Sequence, residues 1–252
     1  MPILCYHSIH DRWEWQFAVT PRLFAQHCTW LARTGRVLDL QDALQYLPAS
    51  GGLRRDIIGI SFDDGFDDFY HYAFPILIQH RLTATVFLVA GALDGESRAV
   101  EWVDDPPPFE LNALTLDQVL EMQDAGIRFG SHSYKHNDLT LLTDDECERD
   151  LRTSRELLED SLHGPVTLLA YPRGRYNERV RRAAQRAGFT HGFRTARRRA
   201  ATDHYAVPRT VLYAGDGVGR LRLKSSSLYE QGHLGLIRSA RRRIKQAKSF
   251  RG

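Results

Sequence analysis

The chain has 252 residues, 42% hydrophobic and 26% charged, with a formal net charge of +3. That length supports one substantial core, and barrels of this size commonly form a single domain. No apolar run approaches the roughly 18 residues of a membrane span, and Cys5, Cys28 and Cys147 are odd in number and unpatterned, which argues against a disulfide framework or a thiolate metal site.

Strand and helix signals alternate along the chain. A strand over 2–7 leads through a loop with Trp13 and Trp15 to a helix opened by Thr20-Pro21, a capping residue followed by a first-turn proline. Strands are expected near 37–39, 57–62, 84–89, 127–131, 167–170 and 190–194. Helices near 67–80, 115–125, 143–162 and 176–187 separate most of them. Thr143-Asp144-Asp145-Glu146 reads as a capping box, and Gly188 stands where a helix end favours glycine. Seven strands with intervening helices indicate a parallel α/β barrel or sheet. The segment 91–112, with Trp102 and Pro106-Pro107-Pro108, is too long for a simple connection and suits a lid or binding rim.

The basic character lies at the C-terminal end. Residues 238–252 carry seven Lys/Arg and no acid, so residues 1–237 net −4. Ile237, Ala240, Ile244 and Ala247 recur there at helical spacing. Such a stretch can lie on an anionic membrane surface, pack on the barrel or fray. Arg194 with Arg197-Arg198-Arg199 forms a second basic cluster. The division expected is a barrel over 1–225 and a basic helical tail over 226–252. The N-terminus enters a strand without a leader pattern, which predicts a cytoplasmic chain or one peripheral on the inner face of the membrane.

Two short motifs carry the chemistry. Ser61-Phe62-Asp63-Asp64-Gly65 follows the buried strand and places two carboxylates where parallel folds collect catalytic groups. Adjacent acids repel unless a metal or proton is shared, so the pair reads either as divided labour or as a solvated turn. His132-Ser133-Tyr134-Lys135-His136 follows the strand Ile127–Gly130. Its four-residue spacing predicts both imidazoles on one face of a helical turn, where they can share a metal ion. Two loop histidines without a ligand are the alternative. Histidine with carboxylate suits zinc and other first-row ions.

These motifs resemble those of the polysaccharide deacetylases, the carbohydrate esterases with a NodB-homology domain. Ser61–Gly65 and Ser131–His136 resemble the first two motifs, and Ala170-Tyr171-Pro172-Arg173-Gly174 resembles the third. Ile3–Ile9 and Ala84–Val89 resemble strands of the same fold, so the resemblance covers about residues 2–213. It implies a distorted, incomplete (β/α)7 barrel in a single domain. It also implies a metal-dependent hydrolase that removes N-acetyl groups from an amino-sugar polysaccharide or glycoconjugate. Asp63 is then the general base, and Asp64, His132 and His136 bind one divalent ion, zinc before cobalt, nickel or manganese. The N–H of Arg173, after Pro172, would face the oxyanion. His7 and Tyr171 are further candidates to line the site.

Departures from the family pattern set further expectations. Ala170 stands where the third motif has an arginine that orients the base, and Arg209, in Val207-Pro208-Arg209-Thr210-Val211, is the candidate to pair with Asp63 instead. A surface arginine at a strand start is the other reading. The Arg173 side chain could meet an anionic substrate group. Fourth and fifth motifs are missing, so the general acid is unassigned; His191, His204 and His233 are weak choices. Two other functions fit the same residues: a deformylase or other amide hydrolase on a lipid-linked sugar or small amide, and a non-catalytic carbohydrate-binding barrel. A nucleic-acid partner is not expected.

Overall fold

The structure, a computed structural model, describes residues 2–45, 57–94, 98–195 and 203–226. The Arg197–Arg199 cluster, His233 and all of the tail beyond Ser226 lie outside the described residues. In chain order the elements are β1 (Ile3–Tyr6), β2 (Ser8–Ile9), β3 (Ala18–Val19), α1 (Pro21–Thr34), β4 (Val37–Leu38), α2 (Leu40–Gln45) and β5 (Ile58–Phe62). A π-helical turn (Phe69–Ala73) then runs into α3 (Phe74–Gln79), followed by β6 (Thr85–Leu88), α4 (Gly91–Asp94), α5 (Leu116–Asp124), β7 (Arg128–Ser131) and α6 (Asp144–Leu162). After β8 (Leu168–Ala170) come a 3-10 turn (Pro172–Gly174), α7 (Glu178–Arg186), β9 (His191–Thr195), β10 (Val207–Val211) and α8 (Val218–Lys224).

Seven parallel strands close into a barrel. β5, β6, β7, β8, β9 and β10 pair in sequence, and β1 joins β10 to β5. The fold class is the one expected, a single-domain (β/α)7 barrel, but one member of the ring differs from the sequence reading. β4 is a wedge that pairs with Ile58 and Gly59 at the start of β5, and β6 takes Ser61 and Phe62 further along. The seventh stave is β10. Its Pro208 cannot donate to a ladder, and proline within a strand pattern weakens the signal.

Period-two alternation divides each stave between lumen and helix layer. Leu4, Tyr6, Ile58, Ile60, Phe62, Val86 and Leu169 pack outward in the main core under the helices. Ile3, Phe87, Leu168, Ala170, Phe193 and Val207 form a second cluster with Leu40, Ala43 and Leu44 of α2, which stoppers one end of the barrel. Gly59 makes room for that stopper: a Cβ there would lie 2.3 Å from Leu40 Cδ2. The same inward phase carries Cys5, Ser61, Asp63 and Arg209 to the other end.

Helix ends follow the sequence signals. The Thr20 hydroxyl accepts from the Leu23 N–H, and Thr143 with Glu146 forms the full capping box. Thr115 and Gln118 make a second one. The helix expected over 67–80 is broken in type: the Phe74 N–H bonds back to Phe69, five residues away, just before Pro75, which has no N–H to continue the ladder. Among the described residues no helix is long and apolar enough to cross a membrane.

Candidate active site

Asp63 directly follows β5 and continues its inward phase, and its backbone N–H bonds to the Tyr6 carbonyl of β1 at 3.0 Å. Arg209 meets it with two parallel bonds, Nη1 to Oδ1 at 2.5 Å and Nη2 to Oδ2 at 2.7 Å. Both residues are buried. Nη1 also reaches Ser61 Oγ at 3.2 Å, and that hydroxyl donates to the Leu4 carbonyl. The guanidinium carbon sits 5.1 and 5.9 Å from the ring centres of Phe87 and Phe193, so the cation rests on aromatic lumen residues. Cys5 Sγ lies 3.5 Å from Asp63 Oδ2 as a third, weak donor. Arg209 is therefore no surface residue, and Ala170 leaves no gap in the support of Asp63.

Burial, the largest single influence, would raise the Asp63 carboxyl, but the Arg209 charge, the Arg209 hydrogen bonds and the nearby His132 and His7 rings together outweigh it and hold the carboxyl well below the usual range. Asp64 goes the other way: burial first, then the Asp63 charge, push it up to about 8. The turn makes the pair possible. Asp64 and Gly65 both take left-handed backbone, with φ of 74° and 67°. This bend brings Asp64 to the same cavity as Asp63 although it follows directly in sequence.

His132 leaves the end of β7, and its Nδ1–H donates to the Ala170 carbonyl at 2.8 Å. That bond leaves Nε2 free, 3.7 Å from Asp64 Oδ1; His136 Nε2 stands 3.3 Å from the same oxygen. One donor atom from each of Asp64, His132 and His136 lies within 4.8 Å of the others. The expected helical turn is not what joins them. The segment is a non-helical loop in which Ser133 and His136 take φ of 69° and 57°, and the Ser133 hydroxyl accepts from the His136 N–H. Burial lowers His132, and burial with the neighbouring His132 brings His136 down to about 2, so both rings are neutral with lone pairs available. Two imidazole nitrogens and one carboxylate, with one tautomer fixed by a carbonyl, suit a zinc-type ion.

The remaining sequence candidates separate. His7 follows β1, lines the cavity, and places a ring nitrogen within 4.8 Å of an Asp63 oxygen and of Cys5 Sγ. Its Nδ1 is buried without a partner among the described residues, and burial brings the ring down to about 4. Cys5, His7 and Asp63 do not make a second cation site, because both Asp63 oxygens already serve the Arg209 cation. Tyr171 is corrected: the residue after inward Ala170 points outward, stacking on Tyr176 at 5.2 Å and donating to the Tyr205 carbonyl. Pro172 is buried in the 3-10 turn, outside the cavity lining. Arg173, at φ 57°, does line the cavity, but its guanidinium is committed to Asp104, with Nη2 to Oδ1 at 2.9 Å, and to the Trp102 carbonyl. The expected anionic partner is thus an acid of the same chain. His191 and His204 stack on each other away from the cavity.

The cavity measures ≈ 820 Å³. Trp102, Val103, Asp104 and Asp105 of the long loop form one side, with the Trp102 ring 6.1 Å from His136. The loop is anchored at its root by Trp13, Phe66 and Leu111, and Trp13 Nε1 donates to the Asp105 carbonyl. Sequence reasoning did not reach Ser61, Cys5, Phe17 or Tyr213. Alternation from Asp63 would have found the first, and alternation from His7 the second. The last two are joined only by the fold.

The profile of the polysaccharide deacetylases matches residues 50–192, more than half of the chain. The chain belongs to the polysaccharide deacetylase family. This deacetylase-family chain is 29% identical over 218 residues to YxkH of Bacillus subtilis, which carries the same family description; the match spans 85% of the chain and 72% of YxkH. It is 27% identical over 209 residues to the poly-beta-1,6-N-acetyl-D-glucosamine N-deacetylase of Staphylococcus epidermidis, covering 78% and 68%. Among solved structures, the Streptococcus pyogenes deacetylase PplD in complex with acetate superposes with a TM-score of 0.79 at 26% identity, covering 90% of this chain and 98% of that one. Family membership makes the chain a hydrolase of carbon–nitrogen bonds.

Proposed function

We propose that the chain removes N-acetyl groups from an N-acetylglucosamine-type polysaccharide, with Asp63 as general base and Asp64, His132 and His136 as ligands of one divalent ion, zinc before cobalt, nickel or manganese. The observation that carries this reading is the contrast between neighbours: Asp63 is locked ionised by Arg209, whereas Asp64 converges with two neutral imidazoles. When bound, the ion would supply a polarised carbonyl and a more acidic water.

The chain's own groups do the rest. Asp63 takes a proton from the attacking water as the new C–O bond forms at the acetyl carbon. Arg209 keeps that carboxylate oriented and ionised until then. The Arg173 N–H, on left-handed backbone at the cavity wall, is the donor for the developing oxyanion. As the C–N bond breaks, the amine nitrogen needs a proton. His7 supplies it, relaying the one Asp63 removed; its ring is neutral at rest and has a nitrogen near Asp63. Acetate and a free amino sugar leave.

The test joins metal content to activity. Purified protein should hold about one zinc or similar ion. Asp63→Asn should keep that metal and lose acetate release from poly-beta-1,6-N-acetyl-D-glucosamine by about 10²-fold or more. Full activity in Asp63→Asn would sink the base assignment, and formate release in preference to acetate would favour the deformylase reading.

A further inference from the structure

The segment 98–113, between α4 and α5, does more than wall the cavity. Its two limbs pair: the Val100 N–H bonds to the Leu111 carbonyl at 3.1 Å, and the Ala113 N–H bonds to the Arg98 carbonyl at 2.8 Å. Its tip is tied down from two directions. Arg173 Nη2 donates to Asp104 Oδ1 at 2.9 Å and to the Trp102 carbonyl at 3.4 Å, and Trp13 Nε1 donates to the Asp105 carbonyl at 3.2 Å. Trp102 is thus held beside the candidate ligands, its ring 6.1 Å from that of His136.

The indole edge is the part left incomplete. Trp102 Nε1 is buried and completes no hydrogen bond among the described residues. An indole N–H buried without an acceptor is unfavourable, and a ring that merely roofed the cavity could turn that edge to water. It lies instead against Asp64. Burial and the Asp63 charge raise that carboxyl, and the Trp102 N–H acts the other way, favouring the ionised form. Asp64 Oδ1 is the oxygen nearest Nε2 of both His132 and His136. A carboxylate that gives one oxygen to an ion has a second oxygen to satisfy, and a fixed donor there sets its orientation.

We infer that the Trp102 N–H is the donor that anchors Asp64 as a metal ligand, which makes Trp102 a positioning residue of the metal centre. The inference rests on the metal assignment made under the proposed function and extends it to a residue outside the three ligands. Arg173 takes part indirectly, because its guanidinium holds the strap that presents the indole.

The experiment measures the zinc affinity of the full chain by competition with a chromophoric chelator, together with the visible spectrum of the cobalt-loaded protein. Trp102→Phe keeps an aromatic ring in the strap and removes the N–H. It should bind zinc about tenfold more weakly than wild type and shift the cobalt bands, while the metal-free melting temperature stays near that of wild type. Asp104→Asn, which keeps the indole and loosens the strap, should weaken zinc binding by less. Adding Trp102→Phe to Asp64→Ala, whose affinity is already reduced, should cost nothing further. Wild-type zinc affinity in Trp102→Phe would overturn the inference and leave the three ligands standing. An undiminished loss in the Asp64→Ala background would also overturn it, by moving the contact to His136. A wild type that binds no zinc would sink the metal assignment itself and the inference with it.

Discussion

At the scale of single residues, the most consequential contact is the buried Asp63–Arg209 pair. Two charges removed from water stabilise the fold only while both remain. Arg209→Met leaves an ionised carboxylate stranded beside Phe87 and Phe193, and it should cost about 3–5 kcal/mol in urea unfolding. The double variant Arg209→Met with Asp63→Asn removes both charges and should recover much of that loss while remaining inactive. If the single and double variants are equally unstable, the pair is not what holds the lumen. This contact also shows what a sequence conceals. Asp63, Asp64, His132 and His136 were legible because each lies in a short segment at a strand end, where local pattern and chemistry coincide. Arg209 could be named only as a candidate, because its partner is 146 residues away and the contact depends on β10 closing the ring. Tyr171 was misplaced for a simpler reason: its neighbour Ala170 faces the lumen, so alternation turns Tyr171 outward.

At the scale of elements, α2 closes one end of the barrel and β4 wedges in beside β5. β4 falls on the strand expected near 37–39, but a two-residue strand cannot reveal whether it is a stave or a wedge, and α2, with six residues, is too short to show a stripe. Their importance comes from packing. Leu40 reaches into the lumen at Gly59 and is fully buried, so Leu40→Ala should destabilise the chain by about 2–5 kcal/mol. Thr143→Ala, which removes a cap on an exposed helix start, should cost only about 1 kcal/mol. Equal midpoint shifts in denaturant for these two substitutions would contradict the stopper. The His132–His136 loop makes a related point. Spacing of four residues predicted convergence correctly but by the wrong conformation, since left-handed residues at 133 and 136 can bring two rings together without a helix.

At the scale of the whole molecule, the buried titratable groups set a pH profile that metal should reshape. Burial holds His7, His27, His132 and His136 below the ordinary imidazole range. Below about pH 6.5 the unfolded chain therefore binds protons that the folded chain refuses, and stability falls as pH falls. Asp64 and Asp68 have the opposite sign. Burial, joined for Asp64 by the Asp63 charge, raises each to about 8. The folded chain keeps these two protons while the unfolded chain has lost them, so stability falls as pH rises from about 4 to about 8. Between about 4 and 6.5 these histidines, with His10 and His191 lowered likewise, oppose Asp64 and Asp68, which Asp67 and Asp150, also raised by burial, reinforce; above 6.5 the acids dominate. The melting temperature of the metal-free protein should then be highest near pH 6.5 and decline toward pH 8. An ion held by Asp64, His132 and His136 needs the carboxylate ionised and both rings neutral, so it competes with the Asp64 proton and gains affinity as pH rises. Zinc should accordingly raise the melting temperature more at pH 8 than at pH 6, a difference that Asp64→Asn should remove. A zinc shift independent of pH, or one that survives Asp64→Asn, would place the ion elsewhere in the barrel.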